Sequence, residues 1–151
     1  MSASINAESP CSTVLKKVFI SSFRDAGLIH VVGKTGAGVP VFESAVSIDG
    51  AVARLEKVWI EEPFRGNRCC SSFVSATLRA TLRRDTALLE IDIESDAAKN
   101  ACLCYSHAAA ENDFEPGSPD TQRACESLKN GFYTDEPELL FRRIASGPLR
   151  L

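Results

Sequence analysis

No apolar run in this 151-residue chain approaches the ~20 residues needed to cross a bilayer, so it offers no candidate transmembrane helix. Basic charge is also scarce. The 17 Lys and Arg stand against 20 Asp and Glu, leaving a net charge of −3 and none of the broad positive footprint that nucleic acid requires. Arg79, Arg83, Arg84, Arg142 and Arg143 supply local patches only, and nucleic acid is not an expected partner. The first residues, MSASINAESPCSTVLKK, lack the charged-then-apolar order of a secretory signal. These absences together predict a soluble, intracellular protein, cytoplasmic and without a membrane partner.

Histidine is limited to two residues, and no His or Cys pair has the two-to-four-residue gap of a zinc knuckle. On a helix, Cys102 and Cys104 point about 200° apart. No metal site is expected. The six cysteines, Cys11, Cys69, Cys70, Cys102, Cys104 and Cys125, include an adjacent pair and a pair one residue apart. That crowding does not read as a secreted disulfide framework, and reduced, mostly buried thiols are expected.

With 44% apolar and 25% charged residues the chain matches a soluble globular domain, long enough to bury a full core. Residues 1–13 show no period and read as a loose tail, leaving 14–151 as one domain. From Lys17 the runs KVFISSF, LIHVVGK, VPVFESAVSI and VARLEKVWI are rich in β-branched and aromatic residues, separated by RDAG, TGAG and DGA. They predict four strands joined largely as an antiparallel meander. Val74, Leu78 and Leu82 then recur every four residues, an amphipathic helix. ALLEIDIES alternates Leu89, Ile91 and Ile93 with Glu90, Asp92 and Glu94, a fifth strand. DAAKNACLCYSHAAAENDF predicts a helix capped at Ser95 or Asp96 and broken by EPGSP. A short helix, DTQRACESLKN, should follow Pro119 and stop at Gly131, and ELLFRRIA supplies a last strand. The order β-β-β-β-α-β-α-α-β predicts an α/β or α+β domain, a mixed sheet with helices packed on it.

GKTGAG, Gly33 to Gly38, lacks the Gly a Walker loop needs five positions earlier, where Leu28 stands, and a strand follows it. A hairpin turn is expected. FRGNRCCSSF, Phe64 to Phe73, lies between a strand and a helix, where the first free N–H groups of a helix make a natural anion site. There Arg65 and Arg68 would lower the pKa of Cys69 and make it nucleophilic; a small residue packing a tight turn is the competing reading. The Glu90, Asp92, Glu94 row is either a solvated strand face or an attractor for a cation.

Order and residues together resemble the GNAT superfamily of N-acetyltransferases, over roughly residues 28–146. LEKVWIEEPFRGNRCC is similar to the family's fourth strand and phosphate-cradling motif, Gln/Arg-x-x-Gly-x-Gly/Ala. ALLEIDIES with AAKNACLCY resembles its fifth strand and next helix, and LKNGF with LLFRRIA its Leu-Gly-Phe corner and final strand. The resemblance implies acetyl-CoA as co-substrate, held by Ile60 at the end of the fourth strand and by Arg65, Gly66, Asn67, Arg68, Cys69, Cys70 and Ser71. It implies Tyr105 as the acid that protonates the departing thiolate, and Glu56, with Glu61 or Glu62 behind it, as the base. Strict alternation would put Arg54, Glu56 and Val58 on one face of their strand and Leu55, Lys57 and Trp59 on the other. Glu56 can equally serve as a plain ion-pair partner of Arg54 or Lys57.

The sequence departs from the family at defined positions. Arg68 and Cys70 stand where the motif has small residues, and Ala98 stands at the family's Asn. RDAG replaces the two helices that usually follow the first strand and wall the acceptor site. Two functions follow from the resemblance: acetyl transfer to a small-molecule amine or protein amino group, or a catalytically degenerate binding or regulatory protein of the same fold. In either, a second subunit forming a homodimer, or another partner, would complete the acceptor site.

Overall fold

The computed structural model describes residues 17–64, 69–92, 98–123 and 138–144. The predicted meander is present as β1 (Val18–Asp25), β2 (Leu28–Thr35), β3 (Pro40–Asp49) and β4 (Val52–Ile60), each antiparallel to the next. A two-residue turn links β1 to β2, with Ala26 at φ 53° and Gly27 at φ 80°. Positive φ at both central residues matches the twist of a tight hairpin. GKTGAG does form the β2–β3 hairpin, closed by the Gly38 N–H on the Thr35 carbonyl at 2.9 Å. Gly33 has a separate reason to be glycine. A Cβ there would collide with the ring of Phe42 and lie 2.9 Å from Val18 Cγ1.

After a 3-10 turn over Glu62–Phe64, the chain forms α1 (Cys70–Thr81), β5 (Leu88–Asp92), α2 (Ala98–Glu111), β6 (Phe114–Pro116) and β7 (Glu138–Arg143). The seven strands make one sheet in the order β1-β2-β3-β4-β5-β7-β6. Only β4 and β5 pair in parallel, as a strand–helix–strand crossover through α1 demands. β6 is a correction to the expected order. The Phe114–Pro116 segment, expected at the end of a helix and in its breaker, pairs with β7, because Asp113 at φ 67° ends the helix turn and reverses the chain. Residues 119–123 are helical, with Ser118 Oγ accepting the Thr121 N–H at 3.1 Å. The rest of that predicted helix, the LKNGF corner, the caps at Ser95 and Asp96, and the tail at 1–13 lie outside the described residues.

Both helices cover one face of the sheet. Val74 and Leu78 of α1, and Cys104, Ala108 and Ala109 of α2, join Val46, Leu55, Leu89, Ile91, Phe114, Leu139 and Phe141 in the main core. Burying a Leu or Phe in this way contributes about 1.5–3 kcal/mol per side chain. The two helices run in the same direction: Cys70 meets Cys104 and, one turn and more along, Ser75 meets Glu111 and Asn112. A buried Ser44–Thr77 hydroxyl pair at 2.7 Å ties α1 to β3, and Thr77 also donates to the Phe73 carbonyl. This leaves no buried side-chain polar atom unsatisfied among the described residues. A second, smaller core joins Val31, Val41, Phe42, Cys69 and Phe73, with Phe42 and Phe73 stacked at 4.7 Å.

The cysteines are a further correction. Cys70 and Cys104 form a disulfide, with Cα atoms 5.7 Å apart, and Cys69 is disulfide-bonded as well. Among the described residues no cysteine is free. Spacing along the chain could not show this, because the Cys70–Cys104 pair is brought together by the packing of α1 on α2, across 34 residues of sequence.

Candidate active site

The central feature is a break in the pairing of β4. Ala45 of β3 faces Lys57, whereas the next residue, Val46, faces Leu55. Glu56 therefore has no partner and forms a β-bulge, which bends the strand and re-aims its side chains. Among the described residues, parallel pairing with β5 covers Val52–Leu55 and stops at the bulge. The bulge also overturns the expected alternation. Leu55 and Val58, three residues apart, both pack on the main core, so Val58 lies on the face opposite Arg54 and Glu56.

Glu56 is held on the open face. Its Oε1 accepts from Ser47 Oγ at 3.1 Å and lies 3.3 Å from Arg54 Nε. Arg54 in turn donates from Nη1 to Glu90 Oε2 at 2.7 Å, an in-register pair across β4 and β5. One guanidinium thus serves two carboxylates, and the acidic row on β5 is partly neutralised. Lys57 pairs with Glu43 rather than with Glu56. Ser47 and Glu90 were not among the predicted site residues; the strand register that brings them to Glu56 was the signal needed.

Beyond the bulge β4 runs to Ile60, which packs on the second core beside Phe64 and Cys69. Glu61 donates its N–H to the Val41 carbonyl at 2.9 Å, and Glu62 begins the 3-10 turn. Phe64 and Cys69 are thus apolar anchors on either side of residues 65–68. Arg65, Gly66, Asn67 and Arg68 themselves lie outside the described residues. Cys69 is 1% exposed and caps α1 without any side-chain hydrogen bond to the helix. Cys70 and Ser71 open the helix, and both are half-buried.

Tyr105 follows Cys104 on α2 and packs, half-buried, against the main core. Burial raises its hydroxyl above the ordinary value of 10.0, so it is a neutral donor at physiological pH. The disulfide ties the first residue of α1 directly to the residue before Tyr105. The predicted residues therefore fall into two groups. Ile60, Cys69, Cys70, Ser71 and Tyr105 are linked through the α1 N-terminus, whereas Glu56 sits with Arg54, Ser47 and Glu90 on the open face at the bulge. No group of His, Cys, Asp and Glu among the described residues is arranged to hold a metal ion, and no helix among them is long and apolar enough to cross a membrane.

No protein-family model matches the chain, and no curated protein matches its sequence. Solved structures do match its fold. An acetyltransferase from Bacillus subtilis in complex with CoA aligns at a TM-score of 0.56 and 8% identity, covering 85% of this chain and 99% of that one. A chimera of the spermidine N-acetyltransferase of Vibrio cholerae aligns at 0.51 and 10% identity, covering 84% and 72%. The Vibrio cholerae spermidine N-acetyltransferase solved with CoA and spermine aligns at 0.48 and 11% identity; this alignment covers 63% of this chain and 55% of that one. The fold is that of the GNAT acetyltransferases, as its strand order and parallel β4–β5 pair already indicate.

Proposed function

We propose that the chain is an acetyl-CoA-dependent N-acetyltransferase acting on an amine, either a small molecule or a protein amino group. The observation that carries this reading is the Glu56 bulge, which stands where the described pairing of β4 with β5 stops, shortly before the chain turns into the N-terminus of α1. A bulge re-aims the side chains of its strand and is a common neighbour of active sites. The start of α1, where Cys69 places no side-chain hydrogen bond on the first N–H groups, suits an anion such as a pyrophosphate.

Acetyl-CoA supplies an activated acetyl thioester. Backbone N–H groups of β4 near Ile60 orient the acetyl carbonyl and stabilise negative charge on its oxygen. Glu56, directly or through a water, takes the proton from the attacking ammonium. The amine nitrogen bonds to the carbonyl carbon, the C–S bond breaks as Tyr105 gives its proton to the sulfur, and the remaining extra proton of the new amide nitrogen returns the Tyr105 phenolate to its neutral form. A raised pKa suits Tyr105 to this task, since it reaches the reaction protonated. Arg65, Arg68 and the first turn of α1 would hold the phosphates, Arg68 contributing charge where the family's motif has glycine.

A second reading, a non-catalytic binding protein of the same fold, is favoured by the Cys70–Cys104 disulfide at the sixth motif position and by the Arg54 and Ser47 contacts that occupy Glu56. Calorimetric titration with acetyl-CoA and with CoA tests the first requirement of the catalytic reading: saturable binding is expected, and no heat at millimolar ligand overturns it. Release of free CoA in the presence of polyamines, amino acids and peptide amines then separates the two readings. Binding without turnover by any amine favours the second.

A further inference from the structure

The two edges of the sheet are built differently. β6 is three residues long and ends in Pro116, whose missing N–H blocks further pairing; both are ordinary protections for a sheet edge. β1 has neither. It is eight residues long, contains no proline and, among the described residues, pairs only with β2, leaving its other row of backbone groups at the edge of the described sheet. It also exposes three large apolar side chains, Phe19 at 70%, Phe23 at 52% and Ile20 at 39%.

We propose that β1 is the interface of a two-fold homodimer, in which the β1 strands of two copies pair antiparallel and join the sheets into one of fourteen strands (7 + 7). The occupant follows from the sequence of the strand itself. A two-fold axis perpendicular to the sheet keeps the same face of both copies on the same side, so facing residues must share a face. Phe19, Ser21, Phe23 and Asp25 share one alternation and Val18, Ile20, Ser22 and Arg24 the other, with Lys17 immediately before the strand. Pairing is therefore possible only where the two facing residue numbers sum to an even value.

One register makes the strand complementary to itself. With Ser21 on the axis facing Ser21 of the partner subunit, Phe19 faces Phe23 of the partner subunit and Lys17 faces Asp25 of the partner subunit, each twice by symmetry. Aromatic and opposite-charge pairs are the favourable cross-strand combinations. With Ser22 on the axis, Phe19 would face an aspartate; with Ile20 on the axis, Phe23 would face Lys17; in the chosen register Val18 faces Arg24 and Ile20 faces Ser22 on the other face. Phe23 is already stacked on His30 at 4.9 Å, so the chosen register extends that stack across the axis on the open face. This dimer does not depend on the acetyl-transfer reading, since it uses no residue of the candidate site.

Sedimentation velocity over a concentration series should show a concentration-dependent doubling of mass. Phe19→Lys with Phe23→Lys should abolish it while leaving the circular dichroism spectrum unchanged. Mild oxidation of Ser21→Cys should give a covalent dimer on non-reducing gels, and Ser22→Cys should not. A monomer at every concentration overturns the proposal, as does a dimer that survives the two lysine substitutions. Cross-linking through Ser22→Cys but not Ser21→Cys overturns the register.

Discussion

The two ends of the sheet are stabilised by different means. At β5 and β7 the strands sit beneath α1 and α2, and Leu89, Ile91, Leu139 and Phe141 are sealed from water. At β1 every residue after Val18 is exposed, and the strand relies on its ladder to β2, its tight turn and the contact of Val18 with the second core. The candidate site lies between these regimes, at the Glu56 bulge of β4. A rigid, buried half can hold catalytic groups in place, while a half with little cover is free to receive something else.

Substitutions should register this contrast as a gradient. Phe141→Ala, which opens a cavity in the main core, should cost about 3–5 kcal/mol of unfolding free energy in a urea titration. Replacing Cys70 and Cys104 together by Ser should cost about 2–4 kcal/mol, read from the same titration, because the cross-link no longer restrains the unfolded chain. A smaller cost would mean that helix packing alone holds α1 on α2.

Tyr105→Phe has an effect that depends on pH. The Tyr105 hydroxyl has a folded pKa raised above 10.0 by burial, so the folded state keeps its proton where the unfolded chain gives it up. Stability from this group is complete below the unfolded value and is lost as pH rises through the folded one, with a slope of up to ~1.4 kcal/mol per pH unit. Urea titrations on the alkaline side of pH 10 should show a shallower decline for Tyr105→Phe than for the unaltered chain. Equal slopes would mean that the hydroxyl is solvated. Smallest of all, Phe19→Ala should change stability by no more than about 0.5 kcal/mol when measured on the monomer at low concentration.

Much of the fold was legible in the sequence because local signals agreed with the final packing. The β-branched runs separated by RDAG, TGAG and DGA, the spacing of Val74, Leu78 and Leu82, and the alternation of Leu89 and Ile91 each had a periodicity that survived folding. β6 lacked such a signal: Phe114–Pro116 is too short to show a period, and its strand character comes from β7 beside it. The Glu56 bulge was also hidden, since an inserted residue looks like ordinary alternation until the facing strand is known. For the site, Glu56 and Tyr105 could be singled out through the resemblance. The Arg54–Glu90 pair and the disulfide required a register and a helix contact that no single segment contains.

The Cys70–Cys104 bond also gives the chain a closed circuit. α1, β5 and the start of α2 lie on a covalent ring, with β1 to β4 before it and β6 and β7 after it along the chain. A protease that cuts once inside the ring opens it without releasing a piece. The nicked protein still migrates as one species until a reductant separates the halves, so a cleavage map made without reduction would overlook the segment that leads from the candidate phosphate site to Tyr105.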